Sequence, residues 1–281
     1  MKNPINPKYL DPEKLNASYI ANKPFSHIVL DNFINEKLLQ GILEEFPDLS
    51  KLKSGIKFND SRQIKFASNG FADISPKASE LISYFNSDLF LTYLQKLTGI
   101  NEILISDPYL AGGGYHEIKN GGVLKVHVDF NKHPYTDLDR RLNLLLYLNP
   151  GWKKEWGGNL ELYYENSLDS PCVSVTPEFN RCVIFSTTPF TYHGHPDPID
   201  CPSGISRKSI ALYFFSLGRP KSEVSANHLT LFVETKGEKF KKQFNIKHYT
   251  STTYIIYTIN TLAKDLLPPI LLRYIKKLIK K

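Results

Sequence analysis

Lys125-Val126-His127-Val128-Asp129-Phe130 is the run on which the reading of this chain turns. Read as a strand, it sets His127 and Asp129 on one face, because side chains two apart on a strand point the same way. An imidazole and a carboxylate aimed together can hold one divalent ion. A third ligand must then come from elsewhere, and Tyr192-His193-Gly194-His195 offers one. His193 and His195 share a face if that segment is also extended, so the spacing alone leaves both in play.

Two imidazoles and one carboxylate form the facial triad of non-haem iron(II) oxygenases, which leaves coordination positions open for a co-substrate and oxygen. His-x-Asp also arises by chance on half-exposed strands, so the weight rests on its surroundings. Ser206-Arg207-Lys208-Ser209-Ile210-Ala211-Leu212-Tyr213 places Arg207 and Ser209 on one strand face beside large residues. An arginine entering a β-core is costly unless a carboxylate meets it. A guanidinium fork with a neighbouring hydroxyl suits the far carboxylate of a dicarboxylic co-substrate.

The bulk properties are those of a soluble globular chain. Its 281 residues, 41% apolar and 22% charged, can bury a full core as one large domain with appendages. No apolar run approaches the roughly 18–20 residues of a membrane span, and the Met1-Lys2-Asn3-Pro4 start lacks a signal peptide's apolar segment. Cys172, Cys182 and Cys201 are odd in number and form no Cys-x-x-Cys pair, which argues for a reducing, cytoplasmic setting and against structural zinc. The net charge of +7 is unevenly placed: residues 234–281 hold eleven Lys/Arg against Glu234, Glu238 and Asp265, so residues 1–233 carry −1. A nucleic-acid-binding core is therefore disfavoured.

Along the chain, a polar arm or short helix runs to about Pro24, and a strand follows at 26–30. Asn35 caps a helix with Leu38, Leu39, Ile42, Leu43 and Phe46 on its apolar face. Residues 50–75 read as a polar loop. One or two amphipathic helices span Lys77 to Leu97, with Gly99 as the stop. From Glu102 the pattern turns to β, with strands near 103–105, 115–118, 123–130, 141–148, 159–164, 172–176, 181–186 and 207–217, separated by Gly, Pro and Asn turns. Short, closely spaced strands predict a mainly β sandwich or jelly roll, and the earlier helices should pack on one outer face. The expected organisation is thus a helical support region, 1–101, a β core, 102–220, and a basic extension, 221–281. After Pro268-Pro269 that extension carries an amphipathic helix, with Leu271, Tyr274, Ile275 and Leu278 on one face. Such a helix can pack on its own domain, or residues 262–281 can lie on an anionic membrane surface or a partner.

Residues 103–217 resemble the 2-oxoglutarate- and iron(II)-dependent oxygenase superfamily, in particular its prolyl-hydroxylase-like branch. The signatures are Tyr115, His127-Val128-Asp129, the run Leu142-Asn143 to Leu148-Asn149, Gly157-Gly158-Asn159-Leu160, Pro177-x-Phe179-Asn180-Arg181, and His193 followed by Arg207-x-Ser209. The resemblance implies a double-stranded β-helix fold. It also implies iron(II) on His127, Asp129 and His193, and 2-oxoglutarate and oxygen as co-substrates, with ascorbate as an accessory reductant. Arg207 would pair with the far carboxylate of 2-oxoglutarate, helped by Ser209, Tyr115 and Tyr147, with Asn143 lining the site. His193 is the favoured third ligand because the family's ligand sits at a strand end before the turn, and Pro196 marks departure from regular pairing. The chain departs from the family in a long gap between His193 and Arg207, in Leu124 where many members have tyrosine, and in Arg207 where collagen-type members have lysine. Asp129 separates it from related halogenases, which lack that carboxylate.

Other residues carry weaker signals. His116, His133, His228 and His248 have no partner at ligand spacing and read as structural or exposed. Trp152, Trp156, Tyr163 and Tyr164 read as core or rim packing that could frame an entrance. Asp107 reads either as a substrate contact or as an Asx turn. The expected activity is hydroxylation of an unactivated C–H bond on a protein or peptide side chain. Alternatives are the same chemistry on a small molecule or carbohydrate, and a non-catalytic jelly-roll binding module. The primary substrate would be read by loops around 50–75, 131–139 and 165–171.

Overall fold

Apolar residues at alternate positions on successive strands need two partners, one for each face of a sheet. In the computed structural model, which describes residues 3–235, they find them in two antiparallel sheets and a layer of helices. The expected C-terminal helix and the membrane-facing reading of 262–281 lie outside the described residues.

The helices come first: α1 (Glu13–Ala21), α2 (Glu36–Glu44), α3 (Pro76–Phe85) and α4 (Asp88–Thr98). The Asn35 side chain accepts from the Leu38 amide at 3.0 Å, satisfying an otherwise orphaned donor of α2. The expected span from 77 to 97 is two helices, since the chain turns at Asn86-Ser87, and Gly99 ends α4 with a left-handed φ of 72°.

Strand β1 covers His27–Asp31, β2 Ile56–Asn59, β3 Ile64–Ala67, β4 Leu104–Ile105, β5 Gly114–Lys119, β6 Leu124–Val128 and β7 Asp139–Tyr147. Then follow β8 (Leu160–Tyr163), β9 (Val173–Val175), β10 (Arg181–Ser186), β11 (Tyr192–His195), β12 (Ser206–Ser216) and β13 (Leu231–Phe232). The larger sheet runs β1-β10-β7-β12-β5-β3-β2, with β4 also on β12, and the smaller runs β13-β6-β11-β8-β9. Together they make a double-stranded β-helix, the jelly roll expected from strand spacing.

The reading of 50–75 as a loop is corrected. Ile56-Lys57-Phe58-Asn59 and Ile64-Lys65-Phe66-Ala67 form the hairpin β2–β3, which extends the larger sheet beside β5. Only β2 is at the sheet edge, but both strands are four residues long with a lysine in each, too short to carry a clear apolar period.

Side-chain parity divides the larger sheet. Leu142, Leu144 and Leu146 on β7, Ile210, Leu212 and Phe214 on β12, and Cys182 and Ile184 on β10 pack outward with the helices. The intervening residues, among them Asn143, Leu145, Arg207, Ser209 and Tyr213, face inward to a cavity between the sheets. Arg140 and Arg141 reverse this parity, because the register of β12 on β7 shifts between Phe214 and Phe215: Arg140 reaches inward to Asp129, while Arg141 reaches Glu102 at 2.7 Å.

Candidate metal and co-substrate site

Strand β6 ends at Val128, and Asp129 lies one residue past it with its carboxylate still beside the His127 ring. His127 Nε2 is 3.5 Å from Asp129 Oδ1, and His193 Nε2 is 3.4 Å from Asp129 Oδ2. One donor atom from each of the three residues lies within 4.8 Å of the others. The pairing of β11 with β6 brings them together, since His193 sits directly across from His127.

A bulge decides between the two candidate histidines. Beyond His193 the register shifts, and His195 pairs with Leu124. Both rings face the cavity, but only His193 reaches Asp129. Gly194 permits this close approach of strands: a Cβ there would lie 2.8 Å from the Leu124 carbonyl oxygen and 2.9 Å from that of Lys125.

Both triad imidazoles are held from behind. His127 Nδ1 bonds the Lys125 carbonyl at 2.8 Å and His193 Nδ1 bonds the Thr191 carbonyl at 2.9 Å. A carbonyl only accepts, so each Nδ1 carries the proton and each Nε2 lone pair points into the site. Burial, and the neighbouring His193, push the His127 pKa down and favour the neutral, ligating form. Burial would raise the Asp129 carboxyl, but Arg140 and the two imidazoles outweigh it and hold the group well below the usual carboxylate range. Two neutral nitrogens and one carboxylate oxygen, fixed by carbonyls, suit a divalent first-row ion with free coordination positions.

Arg140 was not singled out by the sequence, yet it is 1% exposed and sits 3.1 Å from Asp129 Oδ2. Asn143 lies between them: its Nδ2 donates to Asp129 Oδ2 at 2.7 Å, and its Oδ1 accepts from Arg140 Nε and Nη2 at 3.0 and 2.7 Å. Asn143 therefore orients the carboxylate as well as lining the cavity. The signal that picked out Arg207, a guanidinium inside a buried strand, was present for Arg140 in Asp139-Arg140-Arg141.

Elsewhere on the cavity wall Arg207 is buried without a carboxylate partner among the described residues. Its Nε donates to the Gly158 carbonyl at 2.7 Å and its Nη2 to the Tyr147 hydroxyl at 3.2 Å. Gly158, at φ 70°, has no Cβ to collide with the Arg207 Cδ, which would be 3.1 Å away. Ser209 lines the same wall. His195 is 3% exposed with neither ring nitrogen hydrogen-bonded among the described residues, and burial followed by Arg207 and Lys65 holds it far toward neutrality. A buried cation and a buried imidazole, both open to one cavity, suit an anionic co-substrate end.

Tyr115 lies elsewhere. It pairs with Ile210 on the outer face, its hydroxyl bonds Ser75 Oγ at 2.7 Å, and its ring packs on Phe46 with centroids 4.3 Å apart. Its neighbour His116, read as structural or exposed, faces the cavity instead, with Nε2 bonding the Gly112 carbonyl at 3.0 Å. Burial lowers the His116 pKa to about 3. Leu124, Leu145, Leu160 and Ile118 supply apolar wall. Lys65, from the unexpected hairpin, also reaches the cavity, and burial lowers its pKa to about 8.

Of the remaining candidates, Asp107 forms the Asx turn, accepting from the Tyr109 and Ala111 amides at 2.8 and 2.6 Å, and it pairs with buried His133 at 3.1 Å. Trp152 and Trp156 pack edge to face, 5.3 Å apart, in a small cluster with Ile118, Ile199 and Cys201. His228 bonds the Leu229 carbonyl, and His248 lies outside the described residues.

Comparison with known proteins agrees with this geometry. Residues 113–215 match the sequence model of the 2OG-Fe(II) oxygenase superfamily, a span that contains the triad and Arg207. Over those residues the chain is similar to that superfamily. Among curated relatives, the prolyl 3-hydroxylase OGFOD1 of Mus musculus is 29% identical over 214 residues, covering 70% of this chain and 34% of the relative. The Xenopus laevis prolyl 3-hydroxylase OGFOD1 is 30% identical over 207 residues, covering 70% and 36%. The chain thus spans about a third of the length of the curated relatives it matches. Its fold is that of prolyl hydroxylases. A Trichoplax adhaerens prolyl hydroxylase solved with a hypoxia inducible factor peptide superimposes with a TM-score of 0.55 at 18% identity, covering 74% of this chain and 91% of that one. A Pseudomonas putida prolyl-4-hydroxylase gives 0.50 at 14%, covering 74% and 100%. The superfamily uses iron(II), 2-oxoglutarate and oxygen, and the donor set and the unpaired Arg207 fit the first two.

Proposed function

We propose that this protein is a hydroxylase of an unactivated C–H bond on a protein or peptide side chain, in the manner of the prolyl hydroxylases, coupled to oxidation of 2-oxoglutarate. The observation that carries this reading is a cavity that holds both His127, Asp129 and His193 and a buried Arg207 with no acid of its own among the described residues. The likeness to protein prolyl 3-hydroxylases supports the choice of substrate class.

Iron(II) with 2-oxoglutarate and oxygen supplies the oxidising power for C–H hydroxylation, releasing succinate and carbon dioxide. The chain supplies position, charge and dryness. His127 and His193 present fixed Nε2 lone pairs, and Asp129 stays ionised because Arg140 and Asn143 hold it. Arg207 clasps the far carboxylate of the keto acid, with the Ser209 hydroxyl and His195 beside it and Tyr147 fixing the guanidinium from behind. Leu124, Leu145, Leu160 and Ile118 keep water from the reacting centre.

The purified chain should bind 2-oxoglutarate when loaded with Mn(II) without oxygen, and convert it slowly to succinate when loaded with iron(II) in air. Asp129→Ala should abolish both, and a +16 Da product in peptide pools would identify the substrate. Absence of 2-oxoglutarate binding in the metal-loaded protein would sink the reading and leave a binding module.

A further inference from the structure

Lys65 stands on β3 with its side chain directed inward. Ala67 pairs with His116 and His116 with Ser209, and Lys65, two residues from Ala67, shares their face. Its ammonium lies 5.0 Å from the centroid of the Phe58 ring, and no carboxylate or hydrogen-bond acceptor engages it among the described residues. It lines the cavity that contains the triad. Phe58 gives that ammonium a cation–π face but no negative charge.

The charge balance of the cavity wall makes that unanswered charge informative. Among the described residues the wall contains three cations at neutral pH, Lys65, Arg140 and Arg207, and one carboxylate, Asp129. Two positive charges are therefore in excess before anything binds. A divalent ion and a dianionic keto acid cancel each other, so loading the site leaves the same excess. Arg140 already faces Asp129, and Arg207 is taken by the co-substrate in the reading above. Lys65 is left as the cation without an anion. A half-buried lysine held at a low-dielectric mouth gains most from a partner that arrives with its own negative charge.

We propose that Lys65 is a specificity-determining residue that binds an anionic group on the substrate, so that the preferred substrate is an acidic peptide with a carboxylate side chain next to the residue that is oxidised. This rests on the proposed function, since it assigns the part of the same cavity that metal and 2-oxoglutarate leave unmatched. The hairpin that carries Lys65 is at one edge of the larger sheet, where substrate selectivity is free to be written without disturbing the core.

The test uses the full chain loaded with Mn(II) and 2-oxoglutarate without oxygen, and calorimetry with two short peptides. Each has one central proline, flanked on both sides by glutamate in one and by glutamine in the other. The glutamate peptide should bind about tenfold more tightly, the gain expected of one partly desolvated ion pair. In Lys65→Gln the two peptides should bind within about twofold of each other, Lys65→Arg should restore the preference, and Lys65→Glu should reverse it. The affinity for 2-oxoglutarate should stay within about twofold of the parent in Lys65→Gln, as expected if the lysine touches only the substrate. Equal binding of the two peptides by the parent protein, or no measurable binding of the glutamate peptide, overturns the proposal. So does a Lys65→Gln variant that loses 2-oxoglutarate affinity, because Lys65 would then belong to the co-substrate subsite. Failure of the loaded parent protein to bind 2-oxoglutarate is a separate result and removes the proposed function itself.

Discussion

The outer and inner faces of the larger sheet are made by the same strands, and they differ in almost everything else. On the outer face Leu142, Leu144, Ile210, Leu212 and Phe214 meet the helices in a continuous apolar core. On the inner face, one residue away each time, Asn143, Arg207, Ser209 and Tyr213 border a polar cavity. Tyr115 and His116 are adjacent in sequence, yet the first belongs to folding and the second to the site. The outer positions are read out as stability and the inner positions as ligand affinity, so a substitution should register mainly on one scale.

Asp129→Ala should break that separation most strongly, since Asp129 serves on both scales. Metal affinity should drop by more than about 100-fold, beyond the effect of losing a residue that only supports a ligand. The protein should also lose about 3 kcal/mol of stability, because Arg140 is left buried without its counter-charge. Metal titration and urea unfolding of the same preparation measure the two. Retention of parent stability would mean that solvent reaches Arg140.

Leu144→Ala isolates the outer face. Its side chain is fully buried, and the cavity left behind should cost about 3 kcal/mol in urea unfolding. Anaerobic Mn(II) and 2-oxoglutarate affinities of the folded fraction should be unchanged, and a shift in either would show that strain crosses the sheet.

Arg207→Ala isolates the inner face. Its 2-oxoglutarate affinity should weaken by about 30-fold, or about 2 kcal/mol, the low end for removing one member of a buried charge pair. Metal affinity should hold, and parallel weakening of both would reassign Arg207 to a structural role.

The pH dependence of the metal-free protein separates the faces more finely. The His116 pKa is about 3 when folded and 6.5 in its ordinary state, so the unfolded chain takes up more protons between those values. Its contribution to stability is therefore complete above pH 6.5 and is lost as the pH falls toward 3. His116→Asn should reduce the slope of stability against pH in that window by up to about 1 kcal/mol per pH unit, measured by urea unfolding at a series of pH values.

Tyr115→Phe should have the smallest effect. Loss of the Ser75 hydrogen bond should cost about 1 kcal/mol or less, with 2-oxoglutarate affinity unchanged. A clear loss of that affinity would return Tyr115 to the co-substrate site that family resemblance implied.

Much of this was legible in the linear chain for a local reason. Alternation over two residues put His127 and Asp129 together, and the cost of a guanidinium inside a strand marked Arg207; neither inference needs knowledge of distant contacts. Helix caps at Asn35 and Gly99, and the many short strands with Gly and Pro between them, are equally local signals. The features that stayed hidden depend on partners far along the chain. Which of His193 and His195 meets Asp129 follows from a bulge between β11 and β6, and which of Tyr115 and His116 faces the cavity follows from registration of β5 on β12. Lys65 escaped notice because an edge hairpin becomes part of a site only when a sheet accepts it, whereas Arg140 carried the local signal of a guanidinium inside a strand and only its partner carboxylate was hidden. Period and composition are written residue by residue, whereas register is a property of two strands at once, and one step of register exchanges core for cavity.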